Sequence, residues 1–179
     1  YRGYDEVFLP DNVTRLGCWA HARRKLLEGG AANSAAGNRL IALIAELYGI
    51  EKQSKKLEPS QHLSFRQKKA TPVVDKIFTL MTETFNASIP NSALKKAIKY
   101  CLNQENELRG YLRDSAYHID NNSVERMMKG IAVGRNNWLF AGSHNGARTA
   151  AILYTLINTC KLNSVNPFAY LKDVITRLP

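Results

Sequence analysis

The sequence has few cysteines and no long hydrophobic run, and each shortage excludes a class of protein. Its 179 residues include only three cysteines, Cys18, Cys101 and Cys160, which lie far apart. Small secreted domains held together by disulfides are therefore excluded, and we expect a reduced cytoplasm. The longest apolar stretch, residues 147–160, is too short to cross a bilayer, and no signal peptide opens the chain. Because the chain begins at Tyr1, we expect that it is the end of a longer protein.

Acidic residues are also scarce. The chain carries 15 of them against 25 Lys and Arg, which gives a formal net charge of +10. This balance favours a polyanionic partner, with nucleic acid as the expected one and an anionic membrane surface as the other that charge alone allows. A hydrophobic content of 45% excludes a disordered acidic tail. A chain of this length buries roughly 70% of its unfolded surface, so a sizeable core is expected.

The N-terminal part predicts a strand followed by a helix. Residues 13–20 favour a strand and follow the turn-forming residues 10–12, which predicts one largely buried strand. From His21 the pattern is helical until Gly29 and Gly30 end it. A small, polar run then predicts a linker, with a domain boundary near Ala36.

Three periodic stretches predict helices in the middle of the chain, because their apolar residues recur three and four positions apart. These residues are Leu40, Leu43, Ile44 and Leu47, then Val74, Ile77, Phe78, Met81 and Phe85, then Leu94, Ala97, Ile98, Cys101 and Leu102. Pro72 and Pro90 are expected near helix starts, and Ser92 suits an N-cap.

Lys95, Lys96 and Lys99 lie off the apolar stripe of the third of these predicted helices. Such a row is typical of a solvated face, and the alternative is a face that follows DNA. The pattern alone leaves both interpretations open.

Two more helices are predicted near the C-terminus. The first follows a turn at Asn145 and Gly146, and its stripe is apolar except for the last member: Ala147, Ala150, Ala151, Tyr154, Ile157 and Lys161. The second starts at Pro167, with Asn166 as its N-cap.

Glu125 is the only carboxylate between Asp120 and Asp173, in a strongly basic segment. A carboxylate in a segment that faces nucleic acid could bind Mg²⁺, which prefers hard oxygen ligands and assists phosphoryl transfer. The alternative is structural, because Asn122 as an N-cap would put Glu125 at the third helical position of a capping box. Both hypotheses remain open from the spacing.

Two other groups combine chemically useful side chains. Cys18 and His21 are metal-ligand types three positions apart, but zinc needs more ligands than this pair supplies. We interpret Cys18 as buried and His21, with Arg23 and Arg24, as functional side chains at a strand-to-helix junction. Residues 134–143 mix a cation, amides and aromatics between glycines, which suits either a nucleic-acid-contacting loop or a tight turn with its aromatics in the core.

Several separated motifs, taken together, resemble the C-terminal part of the insertion-sequence-66 family of bacterial transposases over nearly the whole chain. They are Tyr-Arg-Gly-Tyr at 1–4, Gly-Cys-Trp-Ala-His-Ala-Arg-Arg-Lys at 17–25, Asp-Asn-Asn-Ser-Val-Glu-Arg at 120–126, Gly-Arg-Asn-Asn-Trp-Leu-Phe-Ala-Gly-Ser at 134–143, Ala-Ala-Ile-Leu-Tyr at 150–154 and Asn-Pro-Phe-Ala-Tyr-Leu at 166–171. Asn136 departs from the family's usual Lys.

The resemblance implies an α/β fold that is mostly α in this chain, with part of an RNase H-like core in residues 1–36 and 119–179 and a helical insertion in residues 37–118. It also implies an Asp, Asp, Glu triad that binds two Mg²⁺ ions and drives DNA strand cleavage and transfer. Glu125 matches the third acid. The other two acids would precede Tyr1, so this chain alone is expected to be inactive.

The resemblance further implies DNA as the partner, as transposon ends and target, and a homo-oligomer in the active complex. We expect DNA contacts from His21, Arg23, Arg24, Arg126, Arg135 and Asn137. Structural roles are expected for Cys18, Trp19, Asp120, Asn121, Asn122 and Trp138. The rival hypothesis is a noncatalytic basic helical module that binds DNA or a protein partner, with Glu125 serving only as a cap.

Overall fold

The computed structural model describes residues 13–177, and every regular element among them is helical. The α-helices are α1 (Trp19–Glu28), α2 (Ala35–Ser54), α3 (Pro59–Ala87), α4 (Ala93–Leu102), α5 (Glu105–Arg109), α6 (Asn122–Trp138), α7 (His144–Leu162) and α8 (Pro167–Arg177). Short 3₁₀ turns span Ala31–Asn33 and Gly110–Leu112.

The predicted α/β fold with a partial RNase H-like core is wrong for the described residues, because they contain no strand and no sheet. Residues 13–18 have no regular structure, and Trp19 already begins α1. A strand needs a neighbouring strand to bond its backbone. Here the N–H of Gly17 donates instead to the Glu107 carbonyl at 2.7 Å, and the N–H of Trp19 donates to the Ile119 carbonyl at 3.1 Å. The backbone of this segment is therefore bonded to α5 and to the loop at Ile119.

The three helices predicted in the middle of the chain are confirmed as α2, α3 and α4. Ser92 caps α4 as expected, since its Oγ accepts a hydrogen bond from the Lys95 N–H at 3.2 Å. Pro72 differs from expectation, because it lies inside α3 rather than at a helix start. Its side chain is exposed, and the helix continues past it while burying Ala70, Val73 and Val74 on the opposite side.

The final helix is also confirmed. It begins at Pro167, and the Asn166 Oδ1 accepts hydrogen bonds from the N–H groups of Phe168 and Ala169 at 2.9 and 3.2 Å. The side chain thereby satisfies two of the backbone donors that every helix start leaves unpaired.

The described residues form two compact units, 13–121 and 122–177. The first unit has a continuous apolar core that draws on α1 to α5 and on both 3₁₀ turns. Its largest fully buried side chains include Trp19, Leu26, Leu40, Ile77 and Met81. The indole Nε1 of Trp19 donates to the Leu108 carbonyl at 3.0 Å, so this core residue is also paired.

One buried charge organises the first unit. Arg66 of α3 donates two hydrogen bonds to the Glu51 carboxylate of α2, at 2.9 and 3.0 Å. Its Nη1 also donates to the carbonyls of Tyr111 and Asp114 at 2.8 and 2.7 Å. Burial, reinforced by the Glu51 charge, raises the pKa of the Tyr111 hydroxyl and keeps it neutral. The two long helices and the chain after α5 are thus fixed to one guanidinium.

The second unit is built differently. Among its described residues only Cys160 is buried, and Ala150 and Tyr154, on the predicted apolar stripe of α7, are half-buried. Large apolar side chains are exposed on all three helices and on the loops between them: Val124, Met128, Val133, Trp138, Leu139, Phe140, Ile152, Leu153, Leu162, Val165, Phe168, Tyr170 and Ile175. The unit's own side chains therefore leave much apolar surface uncovered.

No helix in residues 13–177 combines the length and apolar character that crossing a membrane requires.

Replacing Arg66 by Met should lower the free energy of unfolding by about 3–5 kcal/mol, because Glu51 is then a buried charge without its partner. The double change Glu51→Leu with Arg66→Met should cost less than Arg66→Met alone, since it removes both charges. The measurement is urea unfolding at neutral pH. A matched control is Arg109→Met, which removes a partly exposed arginine bonded to Asp75 and Glu105 and should cost about 1 kcal/mol or less. Equal costs for the two arginines would contradict this account.

Candidate nucleic-acid and metal site

The first group of predicted site residues lies at the start of α1. Cys18 precedes the helix with an extended backbone, and Trp19 is its first residue. Trp19 is fixed by its bond to Leu108 and by an edge-to-face contact with Phe78, with ring centroids 6.0 Å apart. This anchoring sets the direction of α1 and of the predicted DNA contacts that follow.

Those contacts differ in exposure. Arg23 and Arg24 are exposed, while His21 is half-buried. The exposed pair follows from helical spacing, because Trp19, Ala22 and Leu26 take the buried side of α1. The two guanidinium groups therefore lie on a surface that a phosphate backbone could reach.

Asp120 and Asn121, the first two residues of the predicted motif, lie beside this helix start in the first unit. The N–H of Asn121 approaches the Cys18 sulfur at 3.5 Å, and Ile119 accepts the hydrogen bond from Trp19. Burial, with the nearby Asp120 carboxylate as the second cause, raises the pKa of the Tyr48 hydroxyl. Four residues predicted to be structural, Cys18, Trp19, Asp120 and Asn121, are thus brought together from opposite ends of the unit. Their separation of about a hundred positions hides this proximity from sequence reasoning.

Glu125 lies in the second unit, in the first turn of α6, and is half-buried. Because α6 begins at Asn122, Glu125 is its fourth residue, one position later than the capping-box hypothesis assumed. The positive end of the helix dipole attracts a negative charge at this position. The neighbouring Arg126 is exposed, as predicted for a DNA contact.

The donor set of the second unit fits Mg²⁺ only in part. Glu125 supplies a hard oxygen ligand of the kind that Mg²⁺ prefers. In residues 122–177 the one other carboxylate is Asp173, whose Oδ1 accepts a hydrogen bond from the Arg177 Nε at 2.9 Å. A two-metal site needs further ligands, so Glu125 fits as one member of a larger set.

The segment expected as a loop at residues 134–143 is helical as far as Trp138. Arg135 and Asn137 are exposed, which suits the predicted contacts. The aromatic residues are not core: Trp138 is 42% exposed and Phe140 is 76% exposed. The interpretation as a turn that anchors both aromatics in the core therefore does not describe this unit.

Gly134 allows Trp138 to fold back along α6. A methyl group on Gly134 would lie 2.8 Å from the Trp138 Nε1 and 3.4 Å from the Tyr154 hydroxyl oxygen. Leu139 then takes a left-handed backbone (φ 58°) that ends the helix, with its N–H donating to the Arg135 carbonyl at 2.8 Å. The glycine of this motif thus serves close packing of the indole.

A groove of about 330 Å³ between α6 and α7 brings together two cations that sequence reasoning did not connect. Arg126 and Lys161 both line it, with Ser123 and Asn158. The sequence contained one signal that could have indicated this groove, because Lys161 is the single polar member of the otherwise apolar stripe of α7. Met127, Ile157 and Leu162 also line the groove, so the two cations border a mainly apolar surface.

Comparison with known proteins gives a consistent assignment. The sequence model described as Transposase IS66 family matches residues 1–149, and the one described as IS66 C-terminal element matches residues 155–179. The matched ranges include all the predicted site residues. No solved structure matches the chain.

Three curated relatives come from Sinorhizobium fredii (strain NBRC 101917 / NGR234) and are uncharacterized. The protein y4qI is 34% identical over 170 residues, covering 94% of this chain and 31% of its own length. The protein y4hP is 33% identical, covering 99% of this chain and 35% of its own length, and y4jD is 35% identical, covering 90% and 32%. The chain spans about a third of the length of these relatives.

Replacing Gly134 by Ala should displace the Trp138 indole, because the added methyl group would lie too close to its ring. The chain has two tryptophans, so an amide NMR spectrum shows two indole N–H signals, and the Trp138 signal should shift while the Trp19 signal stays. Gly130→Ala in the same helix is the control, since a methyl group there meets nothing within 4 Å. Identical spectra for both variants would contradict the packing.

Proposed function

Because the chain belongs to the IS66 transposase family, we propose that it forms the C-terminal part of a transposase that cleaves and transfers DNA strands, with Glu125 as one of its catalytic Mg²⁺ ligands. The observation that carries the catalytic assignment is the setting of Glu125. It is a half-buried carboxylate in the first turn of α6, and it is followed by the exposed Arg126.

In this proposal, one residue of the chain binds metal and others bind DNA phosphates. Glu125 would hold Mg²⁺, which, when bound, would supply positive charge to offset the negative charge that develops in phosphoryl transfer. The resemblance puts the other two acids before Tyr1, which is why this chain alone should not cleave DNA. The exposed Arg23, Arg24 and Arg135 bind phosphates and orient the duplex.

The proposed DNA contacts also include His21 in the first unit and Arg126 and Asn137 in the second. Contacts of this kind position DNA without reading its sequence. The active complex would contain several copies of the protein, as the resemblance implies, and would act in the bacterial cytoplasm. The three free cysteines agree with a reduced compartment.

In a full-length protein that contains this chain, Glu125→Gln should lower Mg²⁺-dependent nicking of supercoiled DNA by at least about 100-fold, because even outer-shell partners of metal ligands contribute about 10–100-fold. Gln keeps the size of the side chain and removes the charge. Asp173→Asn is the matched control, because it neutralises the unit's other described carboxylate, and it should leave nicking near normal. If Glu125 acts only as a cap, Gln should be tolerated and nicking should stay unchanged. That result would favour the noncatalytic module.

The 179-residue chain should bind unrelated duplex DNA sequences with similar affinity and strong salt dependence. Arg23→Ala with Arg24→Ala should reduce the slope of log affinity against log salt by about 1.8, since each phosphate contact contributes about 0.9. Arg135→Ala should reduce it by about half as much. The control pair is Lys55→Ala with Lys56→Ala, two consecutive exposed cations after α2. Unchanged slopes in both arginine variants would remove these residues from the DNA surface.

A further inference from the structure

Helices α1 and α4 pack side by side in the first unit. A methyl group on Gly29, just after the end of α1, would lie 3.0 Å from the carbonyl oxygen of Ala93 and 3.3 Å from the Cα of Leu94, at the start of α4. At the other end, the Cys101 sulfur is 4.0 Å from the Ala22 carbonyl oxygen. The end of each helix therefore meets the start of the other, so the pair is antiparallel. Packed helices of this kind have axes about 8–10 Å apart.

The exposed side of this pair is strongly basic. Its exposed cations are Arg23, Arg24 and Lys25 on α1 and Lys96 and Lys99 on α4, and we call this set the α1–α4 basic face. The one carboxylate in the two helices is Glu28, which bonds to Lys25 at 3.0 Å. The two packed helices thus expose five cations, of which Lys25 is paired with Glu28.

The three lysines of α4 do not share one role. Lys95 is half-buried, with its Nζ 4.7 Å from the centroid of the Phe85 ring and 3.2 Å from the Ser88 carbonyl oxygen. It fastens α4 to the end of α3. Lys96 and Lys99 are exposed, and among the described residues neither forms an ion pair.

We propose that Lys96 and Lys99 extend the DNA-binding surface of α1, so that the phosphate backbone of a duplex lies across the α1–α4 basic face. This inference rests on the proposed DNA-binding function and deepens it, because it adds residues about 75 positions away from the arginines of α1. Long, flexible cations on two adjacent helices suit a phosphate backbone, which presents closely spaced negative charges and needs no fixed side-chain geometry. The middle helices therefore contribute to DNA binding as well as to the core.

The test compares Lys96→Gln with Lys99→Gln against Lys68→Gln with Lys69→Gln in the 179-residue chain. Both pairs remove two exposed charges, and Lys68 and Lys69 lie about 24 Å along α3 from Phe85, where α4 packs. The Lys96 and Lys99 pair should weaken duplex binding about tenfold or more at 0.1 M salt, since each phosphate contact contributes roughly eightfold between 1 M and 0.1 M salt. Circular dichroism should show unchanged helix content in both variants.

Each outcome decides the proposal. A larger loss for Lys96 and Lys99 than for the control pair, with protection of both lysines from acetylation by bound duplex, supports it. Equal losses overturn it, because they would reflect net charge alone. Normal binding by the Lys96 and Lys99 variant, with weakened binding by the Arg23 and Arg24 variant, overturns this inference and leaves the proposed function standing. No duplex binding by the unmodified chain, or binding no tighter than to polyglutamate, overturns both.

Discussion

The buried pair between Arg66 and Glu51 is the interaction on which the first unit depends. A guanidinium removed from water is tolerable only when its donors are paired, and here a carboxylate and two backbone carbonyls accept from it. Because those carbonyls belong to Tyr111 and Asp114, their hydrogen bonds to Arg66 fix the position of the chain just after α5. That chain segment follows Leu108, which accepts the indole hydrogen bond of Trp19. The position of α1 and its arginines thus depends on the buried Arg66, through the chain segment that both Trp19 and Arg66 contact.

The two units differ in how much of their apolar surface they bury. The first encloses a core large enough to orient side chains at its surface, and it presents the proposed DNA contacts of α1 and α4. The second carries Glu125 and the motif around Arg135, yet leaves many large apolar side chains exposed. A site that needs several acids cannot be assembled from this unit's own carboxylates. In the proposed function, the metal ligand and the large apolar core therefore belong to different units of the chain.

Helical periodicity made several helices predictable, although the α/β fold class expected from the resemblance was wrong for the described residues. Stripes at three and four positions located α2, α4 and α7, and the caps at Ser92 and Asn166 located two helix starts. The strand expected at residues 13–20 was wrong because strand-favouring side chains show only that a segment is partly buried. Whether its backbone bonds to another strand is decided by what lies beside it, here Glu107 and Ile119. The prediction that Pro72 lies near a helix start was also wrong. Pro72 lies on the exposed side of the long helix α3, and the helix continues past it.

The sequence by itself determined the helices, the positive charge, the isolation of Glu125 among basic residues and the family to which the chain belongs. These properties depend on composition, spacing and order, which are local or additive. Tertiary structure alone decided that Cys18 lies beside Asn121, that Arg126 shares a groove with Lys161, and that the lysines of α4 lie next to the arginines of α1. The physical reason is that each proximity depends on how helices pack. Packing is set by the joint burial of many side chains distant in sequence, which no local pattern encodes.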